Sequence, residues 1–336
     1  MEELSRVLKR ARAKFKSDSK IKECFHFKTS DCKGKIKSAH SLQKNGVLSI
    51  LEHEINKNKV VYSFLHPKLS GFMFFNGFEP LGKNECSTFH GFCDYHDSSV
   101  FSPIENNVIN VDLDEHCFLL CYRAFAKEYH AKIEVNKGFK SNELFNKPHN
   151  KDAQEELVGG SEIAIRDLEK VKIKLNNILR NEKYSDLDYL TYSIPYTIPI
   201  ACSASITPSY SYSGKLLNKS TDVNDVYENI MITVIPTLTE THIVLGCFPD
   251  DQRSLTYMDE LEKLEDDKFE NAITSILIGD IENTFISPLI WERMTKRERE
   301  FLMQEISLTS PMIMTMFEES FFISSLNFFN PKFSLK

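Results

Sequence analysis

The sequence predicts an α+β fold: a small zinc-stabilised element toward the N-terminus, a helical segment, and a mixed body built on an antiparallel sheet. Three observations predict it. A Cys24-x7-Cys32 pair is answered far downstream by Cys93-x2-His96. Between residues 114 and 180, apolar side chains recur at helical spacing. From residue 188 the chain turns β-branched and aromatic, with Pro195, Pro199 and Pro208 as punctuation.

The elements follow in order. MEELSRVLKRARAKFK is a good helix former with Leu4, Val7, Leu8 and Ala11 on one face. Residues 24–40 are short, polar and turn-rich, and 47–52 and 59–65 suit a short helix and a strand. The aromatic stretch 71–78 reads as a strand or loop covering a core. Asp114 caps a helix through residue 132, carrying Phe118, Leu119, Tyr122, Phe125, Ala126 and Tyr129. Residues 136–153 are polar without a period and read as a linker. Ser161 opens a helix to about residue 180, with Leu168, Val171, Leu175 and Ile178 on one face. NIMITVIPTLTETHIVLGCF reads as a hairpin around PTLTE. Helical periodicity returns after 255 and ends in a Phe-rich tail at 317–333. The predicted division is a basic helix plus zinc-binding domain over 1–135 and an α+β body over 154–336.

The length of 336 residues accommodates two domains. With 41% apolar and 26% charged residues, disordered, collagen-like and coiled-coil classes are excluded. No run approaches the roughly 18 apolar residues of a membrane helix, and the charged N-terminus has no signal-like apolar core. The expected compartment is the cytoplasm, with no membrane partner, where the eight cysteines stay reduced. The net charge of −7 conceals an asymmetry. Residues 1–60 carry 15 Lys/Arg against 7 Asp/Glu. This basic head, with Arg6, Lys9, Arg10, Arg12, Lys14 and Lys16, suits nucleic acid, and the acidic body suits a protein partner.

A tetrahedral zinc site takes four N or S ligands, usually as two close pairs. Cys93 and His96 form the tighter pair, their two-residue gap bringing both side chains to one ion at a turn. Cys24 and Cys32 need a hairpin to meet, and His26 and Cys86 are alternative ligands. Cys117 and Cys121, four apart on an apolar helix, read as core thiols, and Cys202 and Cys247 lie in strand-like surroundings. The Gly77–Lys83 stretch has P-loop spacing but lacks the Ser/Thr that binds magnesium and is not read as a nucleotide site. Glu105, Arg123 and Glu128 read as solvated helix charges, with phosphate binding or pairing with one another as alternatives. The acidic run 261–270 reads as an exposed helix face, and Trp291 as a packed joint.

The order of zinc pair, His40 in the basic turn KGKIKSAHSLQ, insertion, and second pair opening a helix resembles the HNH, or ββα-metal (His-Me finger), nucleases with a treble-clef zinc scaffold. The resemblance covers about residues 20–105. It implies that Cys24, Cys32, Cys93 and His96 hold structural zinc and that His40 is the general base. It further implies that Asp97, with Asp94 or His90 as alternatives, binds a catalytic Mg²⁺ or Mn²⁺, and that Asn84 orients the base. The family's second pair is usually Cys-x2-Cys followed by His, whereas this chain has Cys-x2-His followed by Asp. The FC-x2-HD-x3-F-x2-IE string and CYRAFAKE are also similar to stretches of uncharacterised bacterial proteins. The implied activity is a metal-dependent endonuclease acting on nucleic acid, with a small nuclease unit and a large sensor as in bacterial anti-phage defence. The alternative is a non-catalytic zinc-binding adaptor or sensor.

Overall fold

The computed structural model describes residues 10, 13–15, 17–64, 78, 80–141, 151–218, 224–308 and 323–335. Most of the aromatic stretch 71–78, basic-head residues Arg6, Lys9, Arg12 and Lys16, and the first part of the Phe-rich tail lie outside them.

Two compact units emerge, each built from three separated stretches: residues 1–39, 89–101 and 125–181 in one, and 40–88, 102–124 and 182–336 in the other. In the order of the chain, the elements begin with β1 (Ala39–His40), α1 (Val47–Leu51), β2 (His53–Ile55), β3 (Asn58–Ser63), β4 (Pro80–Leu81) and β5 (Thr88–Phe89). Four helices follow: α2 (Asp94–Val100), α3 (Ser102–Glu105), α4 (Asp114–Ser141) and α5 (Lys151–Asn181). The last part holds β6 (Asp188–Ile194), β7 (Ile200–Ile206), β8 (Ile230–Pro236), β9 (Thr241–Cys247), α6 (Gln252–Glu262), α7 (Asp266–Gly279), β10 (Thr284–Ile286), α8 (Pro288–Arg293) and α9 (Lys296–Leu308). β1 and β5 pair as a two-stranded sheet. The protein is thus a mixture of helices and antiparallel sheet, and among the described residues no helix is long and apolar enough to cross a membrane.

The larger unit is organised by an antiparallel sheet in the order β2-β3-β10-β7-β8-β9-β6, with β4 added on β3. Every residue of β8 and β9 is buried, which explains their nearly unbroken apolar runs. On one face Ile243, Leu245 and Cys247 join a core with Tyr257 of α6, Ile273 and Leu277 of α7, Leu302 of α9 and the returning Phe328 and Phe329. Each such fully buried side chain contributes about 1.5–3 kcal/mol relative to exposure. On the other face Gly246 is obligatory, because a Cβ there would lie 2.7 Å from Cys121 Sγ of α4. Cys117 and Cys121 are indeed buried thiols, as are Cys202 and Cys247.

The acidic run 261–270 contains the break between α6 and α7. Its Leu261 and Phe269 are buried, so only its charged residues face water. The tail is anchored by Glu305, which accepts from Ser324 Oγ at 2.7 Å, Ser325 N–H at 2.8 Å and Ser325 Oγ at 3.0 Å.

The smaller unit holds the second half of α4, all of α5 and the cysteine-bearing loops. Both helices run beyond the spans expected from periodicity, so 136–141 and 151–153 of the stretch read as a linker are helical. Its middle, 142–150, lies outside the described residues. The extra turns are polar and held by specific bonds, such as Gln154 Nε2 to Phe139 O at 2.7 Å, rather than by an apolar stripe. Consecutive Gly159 and Gly160 lower the intrinsic helix preference where α5 nevertheless continues.

Candidate metal centre

Three segments of the smaller unit meet around residues 90–93. On one side Glu23 N–H bonds His90 O (3.2 Å) and Phe25 N–H bonds Gly91 O (2.7 Å). On the other, Lys37 N–H bonds Phe92 O (3.2 Å) and Ile36 bridges Cys93. The central segment is therefore clamped on both edges by backbone bonds. Beneath it, Phe92 packs edge-on to Phe25, Phe89 and Phe101, with centroids at 6.0, 5.8 and 5.1 Å. Phe25 also meets Phe125 and Tyr129, and Asn176 of α5 donates to its carbonyl at 3.3 Å. The turn after Cys32 uses Gly34 at φ +76°, where a Cβ would fall 2.6 Å from Asp94 Oδ2.

This framework brings Cys24, Cys32, Cys93 and His96 together, their ligand atoms all within 4.8 Å of one another. The His96 Nδ1 atom lies 3.4 Å from Cys24 Sγ, 3.6 Å from Cys32 Sγ and 3.3 Å from Cys93 Sγ. One ring nitrogen supports one hydrogen bond of this kind, so three sulfurs around it are not explained by hydrogen bonding. A tetrahedral zinc with sulfur at about 2.3 Å and imidazole nitrogen at about 2.1 Å separates those two atoms by about 3.6 Å. The observed spacings fit that edge. The four residues can hold a metal ion, and the thiol-rich donor set suits zinc.

Electrostatics agree. Burial raises the Cys24 thiol and pushes Cys32 up to about 12. Burial alone would raise Cys93 too, but backbone hydrogen bonds from His96 and Lys33, with those from Cys32 and Cys24, bring it below its ordinary value. Cys93 is also the N-cap of α2, its Sγ accepting from His96 N–H at 3.5 Å. Burial lowers His96, leaving a neutral ring as a ligand requires. Burial keeps Cys24 and Cys32 protonated in the absence of an ion, so binding a divalent cation would displace their protons and supply the counter-charge for the thiolates it creates.

The alternative ligands lie outside this group. His26 instead lies flat on the His96 ring, centroids 3.8 Å apart at 19°, and its Nδ1 accepts from Lys28 N–H at 3.1 Å. Buried Cys86 directs its Sγ to Gly82 O at 3.5 Å. Neither Gly34 nor the His26 stack was read from the sequence. The Lys-Gly step two residues past Cys32 is the one local signal for the turn, whereas the stack is a tertiary contact.

The residues given catalytic roles by the resemblance are distributed differently. His40, at the end of β1, belongs to the larger unit, where its Nδ1 lies 2.9 Å from the Cys86 carbonyl oxygen. Burial lowers its basicity, followed by the Cys86 bond, which raises it, and by Lys44 and Arg123, which lower it. Asn84 is exposed, two residues before the carbonyl that orients His40. Asp97, half-buried on α2, belongs to the smaller unit, as do His90 and Asp94, and Asp94 pairs with Lys37. Among the described residues, no second group of three or more metal-binding side chains converges. Glu105 and Arg123 pair with one another at 2.7 Å. Lys83 of the P-loop-like stretch is held by Ser49 Oγ and Glu52. No protein-family model, curated protein or solved structure matches this chain.

Proposed function

We propose that the protein is a metal-dependent hydrolase of nucleic-acid phosphodiesters, of the HNH type, whose fold is stapled by structural zinc. The setting of His40 carries this reading. A carbonyl can only accept, so the bond to Cys86 O fixes the proton on Nδ1 and leaves the lone pair on Nε2. With its basicity lowered chiefly by burial, the ring is neutral near pH 7. A neutral imidazole oriented through its other nitrogen is what activation of water requires. The pairing of β1 with β5, with α2 following β5, adds support as the two strands and helix of a ββα element, α1 and β2–β4 being inserted between the strands.

The family resemblance implies that Asp97, with Asp94 or His90 as alternatives, holds Mg²⁺ or Mn²⁺. One or two protein ligands suffice when water and phosphate complete the shell. The basic N-terminal residues, joined by exposed Lys33 and Lys35, approach the phosphates. The acidic body recognises a protein partner or trigger, in keeping with a cytoplasmic anti-phage defence effector, a role argued by architectural analogy. The test is incubation of the purified chain with plasmid DNA and RNA in Mg²⁺ or Mn²⁺. Cleavage is expected and is expected to be lost in His40→Ala. No metal-dependent cleavage, or cleavage indifferent to His40→Ala, would reject the reading.

A second reading, a non-catalytic zinc-binding adaptor, is favoured by the donor set itself. Four protein ligands leave zinc no open position, so zinc can only shape the surface around it. Salt-dependent oligonucleotide binding without cleavage would favour it over the first.

A further inference from the structure

Away from the cysteine cluster and His40, the outer edge of the large sheet carries a second group of reactive side chains. Ser193 of β6 is the register partner of His242 on β9, and their side chains touch, Ser193 Oγ to His242 Nδ1 at 2.8 Å. The other ring nitrogen, Nε2, is buried without a hydrogen-bond partner and lies 3.5 Å from Glu240 Oε1. His242 is 4% exposed, while Ser193 faces solvent.

The tautomer follows from charge. A lone pair on the buried Nε2 would face the half-exposed Glu240 carboxylate, whereas a proton there is attracted to it. Nδ1 therefore carries the lone pair and accepts from the Ser193 hydroxyl. Burial is the main influence on the ring and lowers its basicity; Glu240 and Asp112 draw it back. The polarity is that of a nucleophile, a base and an orienting carboxylate, with the two ring nitrogens exchanged relative to the serine-protease arrangement.

The geometry points to Ser193, His242 and Glu240 as a second site, in which Ser193 is an activated nucleophile toward acyl esters. Ser193 Oγ adds to the ester carbonyl carbon as its proton passes to His242 Nδ1. The adduct collapses by breaking the carbon–oxygen ester bond, and that proton leaves with the alkoxide as an alcohol. Water, giving a proton to Nδ1, then releases the carboxylic acid from the acyl-serine, and the proton returns to Ser193 Oγ. Among the described residues β6 pairs with β9 alone, so alternate peptide N–H groups along its outer edge are available to the developing oxyanion.

The experiment uses the full chain and a fluorophosphonate probe, which transfers its phosphonyl group to an activated serine with loss of fluoride. Peptide mass spectrometry locates the adduct. Ser193 is expected to react on the order of 10²-fold faster in the folded chain than in the urea-unfolded chain. The adduct disappears in Ser193→Ala and forms more slowly in Glu240→Gln and His242→Gln. Equal rates at Ser193 in folded and unfolded chain overturn the assignment, even if His242→Gln does not fold. So does a rate unchanged in a folded Glu240→Gln or His242→Gln.

Discussion

Replacing Cys93 tests the zinc staple most directly, because this residue does two separable things. It supplies one of four converging ligands, and its sulfur caps the first turn of α2. An ion that binds only the folded chain stabilises it by about 4 kcal/mol at a free concentration 1,000 times its Kd. That is a large share of the roughly 5–15 kcal/mol by which native proteins are stable. Cys93→Ala loses this contribution together with the cap, which is worth about 1 kcal/mol. Cys93→Ser keeps an oxygen that can cap but is a poor zinc ligand, so it should be less damaged by about that 1 kcal/mol. Elemental analysis should find one zinc per wild-type chain and none in either variant. Urea unfolding of the wild type with and without a chelator should reproduce the loss. A wild-type chain that carries no zinc from zinc-replete medium, or whose unfolding ignores the chelator, would refute the reasoning.

Two further outcomes follow from buried polar groups. His130 is buried and its pKa is lowered to about 4, chiefly by burial and then by Lys127. The unfolded chain binds its proton near pH 6.5 and the folded chain does not. This contribution is therefore intact above pH 6.5 and is lost as the pH falls toward 4, by about 3 kcal/mol. Urea unfolding between pH 7 and 4.5 should show a shallower loss for His130→Gln than for wild type, and parallel curves would contradict it. Glu305→Ala removes the acceptor for three hydrogen bonds from Ser324 and Ser325, costing about 3 kcal/mol. Hydrogen exchange should quicken across residues 323–335, and a loss below about 1 kcal/mol would count against an anchoring role.

Much of this was legible in the residues. The 230–247 hairpin announced itself by apolar runs on either side of a turn. The Cys-x2-His pair did so because its spacing alone brings two side chains to where one ion could be held. The wider Cys24 and Cys32 pair depended on backbone clamping by residues 90–93, which no local pattern encodes. Helices α4 and α5 were undercounted where polar residues are held by side-chain bonds instead of an apolar stripe. Ser193, His242 and Glu240 were invisible because their meeting depends on strand register, set by the pairing of β6 with β9. His26, offered as a ligand, illustrates the same limit. Sequence supplies the imidazole, but only packing decides whether its edge or its face meets the centre.

The interleaving of the two units has a practical and a biological consequence. No single cut of the chain releases either unit intact, since each draws on stretches before and after the other's. A truncation after residue 135 would strip β10 from β3, which pairs Ser63 with Phe285, and leave a sheet edge open to aggregation. On the ribosome, β3 must likewise wait for most of the polypeptide before its neighbour emerges. The early part of the chain thus spends a long interval unpaired, a demand on cellular chaperones that a beads-on-a-string arrangement avoids.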